Sequence, residues 1–225
     1  MRQLAIGAGA TKKCVQRPRL VYDTWLLTPM GDVHIRAALK RDLLSQYKGD
    51  HQTVIIEELG VQHGASRIDL VVVNGVLHGF ELKSDRDTLT RLPEQARAYN
   101  AVFDQVTLVV AERHLCRAVD LIPDWWGIRA ARGETDGLSF CDLKLPMNNP
   151  SPDPLSVVSL LWRAEALDFL KELGGAQGMR SRSRADIYFE VISRAAFGRV
   201  RDRVRWCLRE RQDWRAAGKR LSCGD

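Results

Sequence analysis

Asp69, Glu81 and Lys83 fall within fifteen residues of one another, in a segment otherwise built for burial: RIDLVVVNGVLHGFELKSD, Arg67 to Asp85. A charge removed from water must be paired, because desolvation costs several kcal/mol. Two carboxylates brought together repel unless a cation lies between them. Donors that are all oxygen select a hard divalent ion, so the expected cofactor is Mg²⁺, with Mn²⁺ able to replace it. A lysine beside that pair can neutralise developing negative charge or orient a water. Metal, carboxylates and lysine together suit the attack of water on a phosphodiester.

The elements that position these groups follow from side-chain type. Ile68 and Leu70 to Val73 are aliphatic or β-branched, as a buried strand requires, and Val76 to Ser84 reads as its partner across Asn74-Gly75. Strand residues alternate faces. Asp69 then shares a face with Arg67 and Val71, and Glu81 and Lys83 share one with Gly79. Ile68, Leu70, Val72, Phe80 and Leu82 form an apolar face that must be core. A two-residue loop would split the charges across the sheet. A three-residue loop, Val73-Asn74-Gly75, pairs Val72 with Val76, sets Arg67 opposite Glu81 and Asp69 opposite Gly79, and makes the two carboxylates diagonal neighbours about 5–8 Å apart. That loop is the expectation, with Gly79 leaving room for metal and substrate.

Around the hairpin, apolar residues at helical spacing from Val33 predict a helix to about Tyr47, and Thr53 to Leu59 a strand. Asp87-Thr88 predicts a helix start, with Pro93 a kink or new start, running to about Phe103. Val106 to Ala111 reads as a strand, His114 to Leu121 as a helix, and Pro123 to Leu145 as short strands. The order α-β-β-β-α-β predicts an α/β fold, a mixed central sheet flanked by helices. MNNPSPDP, Met147 to Pro154, reads as a linker. Helices are expected over 155–173 and 183–214. The predicted organisation is an N-terminal arm over 1–30, a core over 31–146, the linker over 147–154 and a basic helical C-terminal extension over 155–225.

Asp69, followed on the next strand by Glu81-Leu82-Lys83, resembles the signature of the PD-(D/E)XK (restriction-endonuclease-like) nuclease superfamily, and the element order is similar to that superfamily's core. Gln95-Ala-Arg-Ala-Tyr99 resembles the QxxxY element of its RecB-like and Cas4-like branches; at i,i+4 spacing both side chains lie on one helix face. The stretches RIDLVVVNG, GFELKSDRDTLTRLPEQARAYNAVFD and PDWWGI also resemble a family of small uncharacterised bacterial proteins assigned to that superfamily. The resemblance covers about residues 31 to 145. It implies a nuclease in which Asp69 and Glu81 bind metal, the Leu82 carbonyl adds an oxygen, Lys83 positions water or stabilises the phosphorane, and Gln95 and Tyr99 orient substrate or water. The superfamily often draws another acid from its first helix. Asp32, Asp42, Glu57 and Glu58 are the candidates here, with Glu58 preferred. No proline precedes Asp69, a departure from the signature.

The 225 residues carry a net charge of +6, and the segment Arg180 to Arg220 alone carries +8. Val200, Val204, Cys207 and Leu208 form an apolar stripe there, while Arg199, Arg201, Arg203, Arg205 and Arg209 crowd the other faces. Such a helix can pack on the core and present arginines to phosphates, so the expected partner is nucleic acid, DNA ahead of RNA. Arg67 reads equally as a phosphate contact or as the cross-strand partner of Glu81, and Arg91 as a surface residue that could contact the backbone. Trp125-Trp126 reads as a hydrophobic corner. Five scattered cysteines without a CxxC motif point to reduced thiols and a cytoplasmic location. No apolar run approaches the ~20 residues of a membrane helix. A homodimer is left open. The rival reading is a non-catalytic module, binding nucleic acid or protein, that keeps the nuclease-like fold.

Overall fold

In the computed structural model, which describes residues 31–133 and 137–211, the opening hairpin is the centre of the sheet. Its strands β2 (Ser66–Val73) and β3 (Leu77–Lys83) pair antiparallel, with Val73 opposite Leu77 and Leu70 opposite Phe80. The loop has three residues, as expected, but they are Asn74, Gly75 and Val76. Asn74 fixes this choice: its side-chain oxygen takes the Val76 N–H at 3.0 Å, and its own N–H bonds the Val76 carbonyl at 3.1 Å. The side chain thereby mimics a backbone turn. The pairing is shifted by two from the expected register, which leaves facing parity unchanged.

The sheet has six strands in sequence order. β1 (Val54–Val61) pairs antiparallel with β2; β4 (Gln105–Ala111) and β5 (Gly127–Arg132) run parallel to β3; β6 (Ser139–Lys144) is antiparallel to β5. The parallel step from β3 to β4 needs a crossover, supplied by α2 (Leu92–Asn100). This helix starts later than expected, with Pro93 in its first turn, where a missing N–H costs nothing. Asp87 closes a turn instead, accepting the Ser84 N–H at 2.7 Å. The short α3 (Leu115–Ala118) links β4 to β5.

One face of the sheet is covered by α1 (Asp32–Gln46), which buries Ile35, Leu39 and Leu43 on Leu70, Val72, Phe80, Leu82 and Val109. The other face carries α2 and the C-terminal helices α4 (Pro154–Val158), α5 (Arg163–Glu172), α6 (Arg184–Arg194) and α7 (Phe197–Glu210). Those helices share one continuous core with the sheet, so 155–211 is packed on the fold rather than set apart from it. The expected linker is a pinned strap. The Asn149 amide donates to the carbonyls of Asn100 at 2.7 Å and Phe103 at 2.8 Å, and Asp153 N–H bonds Ala101 O at 2.9 Å. Trp126 is fully buried and donates to Asn100 at 2.8 Å, forming the expected hydrophobic corner. The arm over 1–30 and the chain beyond 211 lie outside the described residues. Among the described residues, no helix is long and apolar enough to cross a membrane.

Candidate active site

The regular pleat breaks where the charges stand. Along β1 and β2, Glu57 pairs with Leu70 and Leu59 with Ile68, so Glu58 and Asp69 lie across from each other between these pairs. Glu58 has φ +58°, a left-handed conformation that a side chain disfavours by about 1–2 kcal/mol. The alternation of faces slips at this point. Leu59 and Ile68 turn into the core beneath α2, whereas Leu70, two residues from Ile68, stays in the core beneath α1. This corrects the expectation of one apolar face holding Ile68, Leu70 and Val72 together. It also fills the space expected at Gly79. A Cβ there would lie 2.4 Å from Ile68 Cδ1 and 3.3 Å from the Phe103 ring, so the glycine makes room for packing and not for substrate.

Regular β2–β3 pairing ends at Leu70 and Phe80. Beyond it, the Asp69 carboxylate takes the place of a backbone acceptor, with Oδ2 receiving the Leu82 N–H at 2.8 Å. The N–H and C=O of an extended residue point to the same side, so the Leu82 carbonyl faces the same gap. Asp69 and Glu81 thus stand on the two strands that flank this gap.

Glu81 and Lys83 are buried polar residues, only 2% and 5% exposed. Lys83 Nζ donates to Glu81 Oε1, and also to Gln95 Oε1 at 3.0 Å. The Tyr99 hydroxyl lies 2.8 Å from both Glu81 Oε2 and the Arg67 carbonyl, and Gln95 Nε2 lies 3.5 Å from that hydroxyl. The i,i+4 pair on α2 thus closes a ring around the Glu81–Lys83 ion pair. All five residues expected to be catalytic, Asp69, Glu81, Lys83, Gln95 and Tyr99, come together.

Burial sets the electrostatics. Desolvation, then the neighbouring Glu81 charge, raises the Asp69 carboxyl to about 7, although the Leu82 N–H and Arg36 oppose this. Desolvation also raises Glu81, against the pull of Lys83. Burial and the Glu81 charge raise the Tyr99 phenol, so it stays protonated and can only donate to an ionised Glu81.

Arg36 of α1, which carries no local signal of a role in the sequence, is the main surprise. It donates to Asp69 Oδ1 at 2.7 Å, to Asp32 at 2.8 Å and to Glu58. Burial opposes its charge, but Asp69, Asp32 and Glu58 together raise its pKa. Of the four further acids weighed from sequence, Asp32 and Glu58 therefore reach the site through Arg36. Glu57 instead pairs with Lys40 at 2.5 Å, and Asp42 with Arg129 at 2.9 Å. Arg67 is not the partner of Glu81: its Nε binds Glu58 at 2.5 Å, and its side chain is largely exposed.

Among the described residues, no group of three or more His, Cys, Asp or Glu side chains is arranged to hold a metal ion. The donors that remain, two carboxylates and a backbone carbonyl, nonetheless fit Mg²⁺. That ion is commonly held by one or two carboxylates, with water and substrate completing its shell. Burial raises both carboxyls, chiefly by desolvation, and a cation between them would favour their charged forms.

A surface cleft opens between the loops that follow the parallel strands β3 and β4, lined by Thr88, Thr90, Pro93, His114 and Arg117. Arg91 is exposed on the same loop. The basic helix α7 is less free than its charge suggests. Arg201 and Arg205 bind Asp104 at 2.5 and 2.9 Å, and Arg203 pairs with Glu172 and stacks between Phe169 and Trp206. Burying the Val200–Val204–Leu208 stripe draws these arginines onto neighbouring elements. Arg199 is exposed and Arg209 half-buried, and neither has an ion pair among the described residues.

The family model described as Bacteriophage P4 protein cII matches residues 30–218. A curated relative, "Protein cII" of Enterobacteria phage P4, is 27% identical over 120 residues, covering 53% of this chain and 46% of the relative. The chain thus spans about half the length of the curated relative it matches. No solved structure matches.

Proposed function

We propose that this chain, which belongs to the bacteriophage P4 protein cII family, is a metal-dependent nuclease hydrolysing phosphodiester bonds, in DNA ahead of RNA. The observation that carries this reading is the buried Glu81–Lys83 pair, gripped by Gln95 and Tyr99 with Asp69 alongside. Burying an ion pair contributes little to stability in itself, and here a further carboxylate, Asp69, lies beside it with its own charge disfavoured by the neighbouring Glu81. The run α1-β1-β2-β3-α2-β4, with the acids at the β2–β3 gap, supports a restriction-endonuclease-like core of the PD-(D/E)XK type.

Asp69 and Glu81, with the Leu82 carbonyl, would hold Mg²⁺ or Mn²⁺, whose chemistry when bound is to polarise a phosphoryl oxygen and lower the pKa of water. Glu58 stands one step away, on Arg36 and Arg67, and completes the acidic surround without reaching the pair. Lys83 balances negative charge developing on the phosphorane. Gln95 Oε1 aims the ammonium, and Tyr99 holds the second oxygen of Glu81; both act as positioning residues. The cleft beside Arg91 lies at the carboxyl ends of parallel strands, where ligands of open α/β sheets bind, and suits the nucleic-acid backbone.

The test is incubation of the full chain with linear, nicked, branched and single-stranded DNA and with RNA, in Mg²⁺, Mn²⁺ or EDTA. Cleavage of at least one DNA substrate, lost in EDTA, is expected. Binding without cleavage under every condition would favour the non-catalytic module instead, with Arg36 as the permanent counter-ion of Asp69.

A further inference from the structure

We infer that Arg36 is a built-in cation that yields Asp69 to an incoming divalent ion, so that metal entry and release of the arginine from Asp69 are one exchange. This rests on the metal site proposed above. Arg36 draws three carboxylates from three elements: Asp32 one turn back on α1, Glu58 from β1 and Asp69 from β2. Arginine often faces one carboxylate with both arms of its fork, which adds strength and geometric definition. Here no carboxylate is held by both arms. Its NH2 group divides itself between Asp32 at 2.8 Å and Asp69 at 2.7 Å, NH1 serves Glu58, and the buried Nε has no acceptor among the described residues. Arg36 therefore gives Asp69 one N–H, while Leu82 N–H holds the other carboxylate oxygen, and Asp32 and Glu58 keep the guanidinium when it lets Asp69 go. The left-handed Glu58 fits this role, since backbone strain is retained where the surrounding structure requires it.

Charge counting points the same way. Asp32, Glu58, Asp69 and Glu81 face Arg36, Arg67 and Lys83, a formal total of −1. A divalent ion makes it +1, and one bound phosphodiester returns it to zero. The resident arginine thus supplies part of the neutralisation in the resting protein, and the metal–substrate pair supplies it in the working one.

The test is Mn²⁺ binding to the full chain without nucleic acid, followed by the electron paramagnetic resonance of free Mn²⁺. Arg36→Gln should bind Mn²⁺ about tenfold more tightly than wild type, because a like charge beside the ion is gone. Arg36→Lys should stay near wild type, and Asp69→Asn should lose the site. In thermal melts, metal-free Arg36→Gln should be destabilised and should recover with Mn²⁺, since a ligand that binds only the folded state stabilises it. Equal or weaker Mn²⁺ binding by Arg36→Gln, or a fold that Mn²⁺ does not restore, would overturn the exchange. If Asp69→Asn loses binding while Arg36→Gln binds no more tightly than wild type, the exchange fails while the metal site stands. If no variant binds Mn²⁺, both fall. Exchange without DNA cleavage would remove only the nuclease reading.

Discussion

Asp69 is the residue whose environment is most at odds with its chemistry. Its carboxyl, ordinarily near 3.9, is pushed to about 7 by burial and by Glu81. Below both values it is protonated in the folded and unfolded chains alike and costs nothing. As pH rises from about 4 to 7 the unfolded chain loses its proton first, so stability falls through this window, by on the order of 4 kcal/mol at most above it. Urea denaturation of the metal-free protein from pH 4 to 9 should therefore show wild type losing stability relative to Asp69→Asn. Curves that run parallel at all pH values would contradict the burial account. The identity of this residue was legible in sequence because a carboxylate among β-branched residues needs a reason. Gln95 and Tyr99 were legible only through their resemblance to a QxxxY element beside the hairpin, with i,i+4 spacing setting both on one helix face. Arg36 was not, because an arginine on a surface-compatible helix gives no local signal; only packing of α1 on β2 and β3 brings it to the acids.

At the scale of elements, the hairpin joins site and core. The distortion at Glu58 turns Ile68 under α2, where it meets Gly79 and the Phe103 ring. Gly79→Ala should therefore destabilise the protein by about 1–3 kcal/mol through overpacking, measured as a fall in urea midpoint at unchanged slope. An unchanged midpoint would mean that the space is open after all, as the sequence suggested. The order of elements along the chain, the hairpin and a helix ahead of β4 were legible from periodicity and turn residues, though that helix starts later than the sequence suggested. Register was legible only in parity, since loops closing at Val72–Val76 and at Val73–Leu77 put the same residues on the same faces. The slip at Glu58 was hidden because no glycine or asparagine marks the left-handed position.

The whole molecule is tied together by Asp104, which follows α2 and receives the Leu77 N–H, Arg201 and Arg205. Asp104→Ala would leave the buried Leu77 N–H and Arg201 without their acceptor, while Arg205 keeps Asp202, and should cost about 1–3 kcal/mol in a chemical denaturation experiment. Arg199→Ala and Arg209→Ala should leave stability unchanged. Each should weaken DNA binding and lower the salt slope by about 1 for each phosphate that the arginine neutralises. Unchanged binding in both would move the nucleic-acid surface off α7, toward the cleft by Arg91. Charge counting located the basic segment but could not show which arginines the fold consumes, because pairing with Asp104 and Glu172 spans distant parts of the chain.

The most direct measurement of the central claim is the cleavage rate of wild type, Asp69→Asn and Lys83→Ala on one DNA substrate in Mg²⁺. Each protein should first be shown folded by circular dichroism. Both substitutions should lower the rate by about 100-fold or more, with DNA binding retained. Equal rates in all three proteins would place any activity elsewhere and contradict the assignment of Asp69, Glu81 and Lys83.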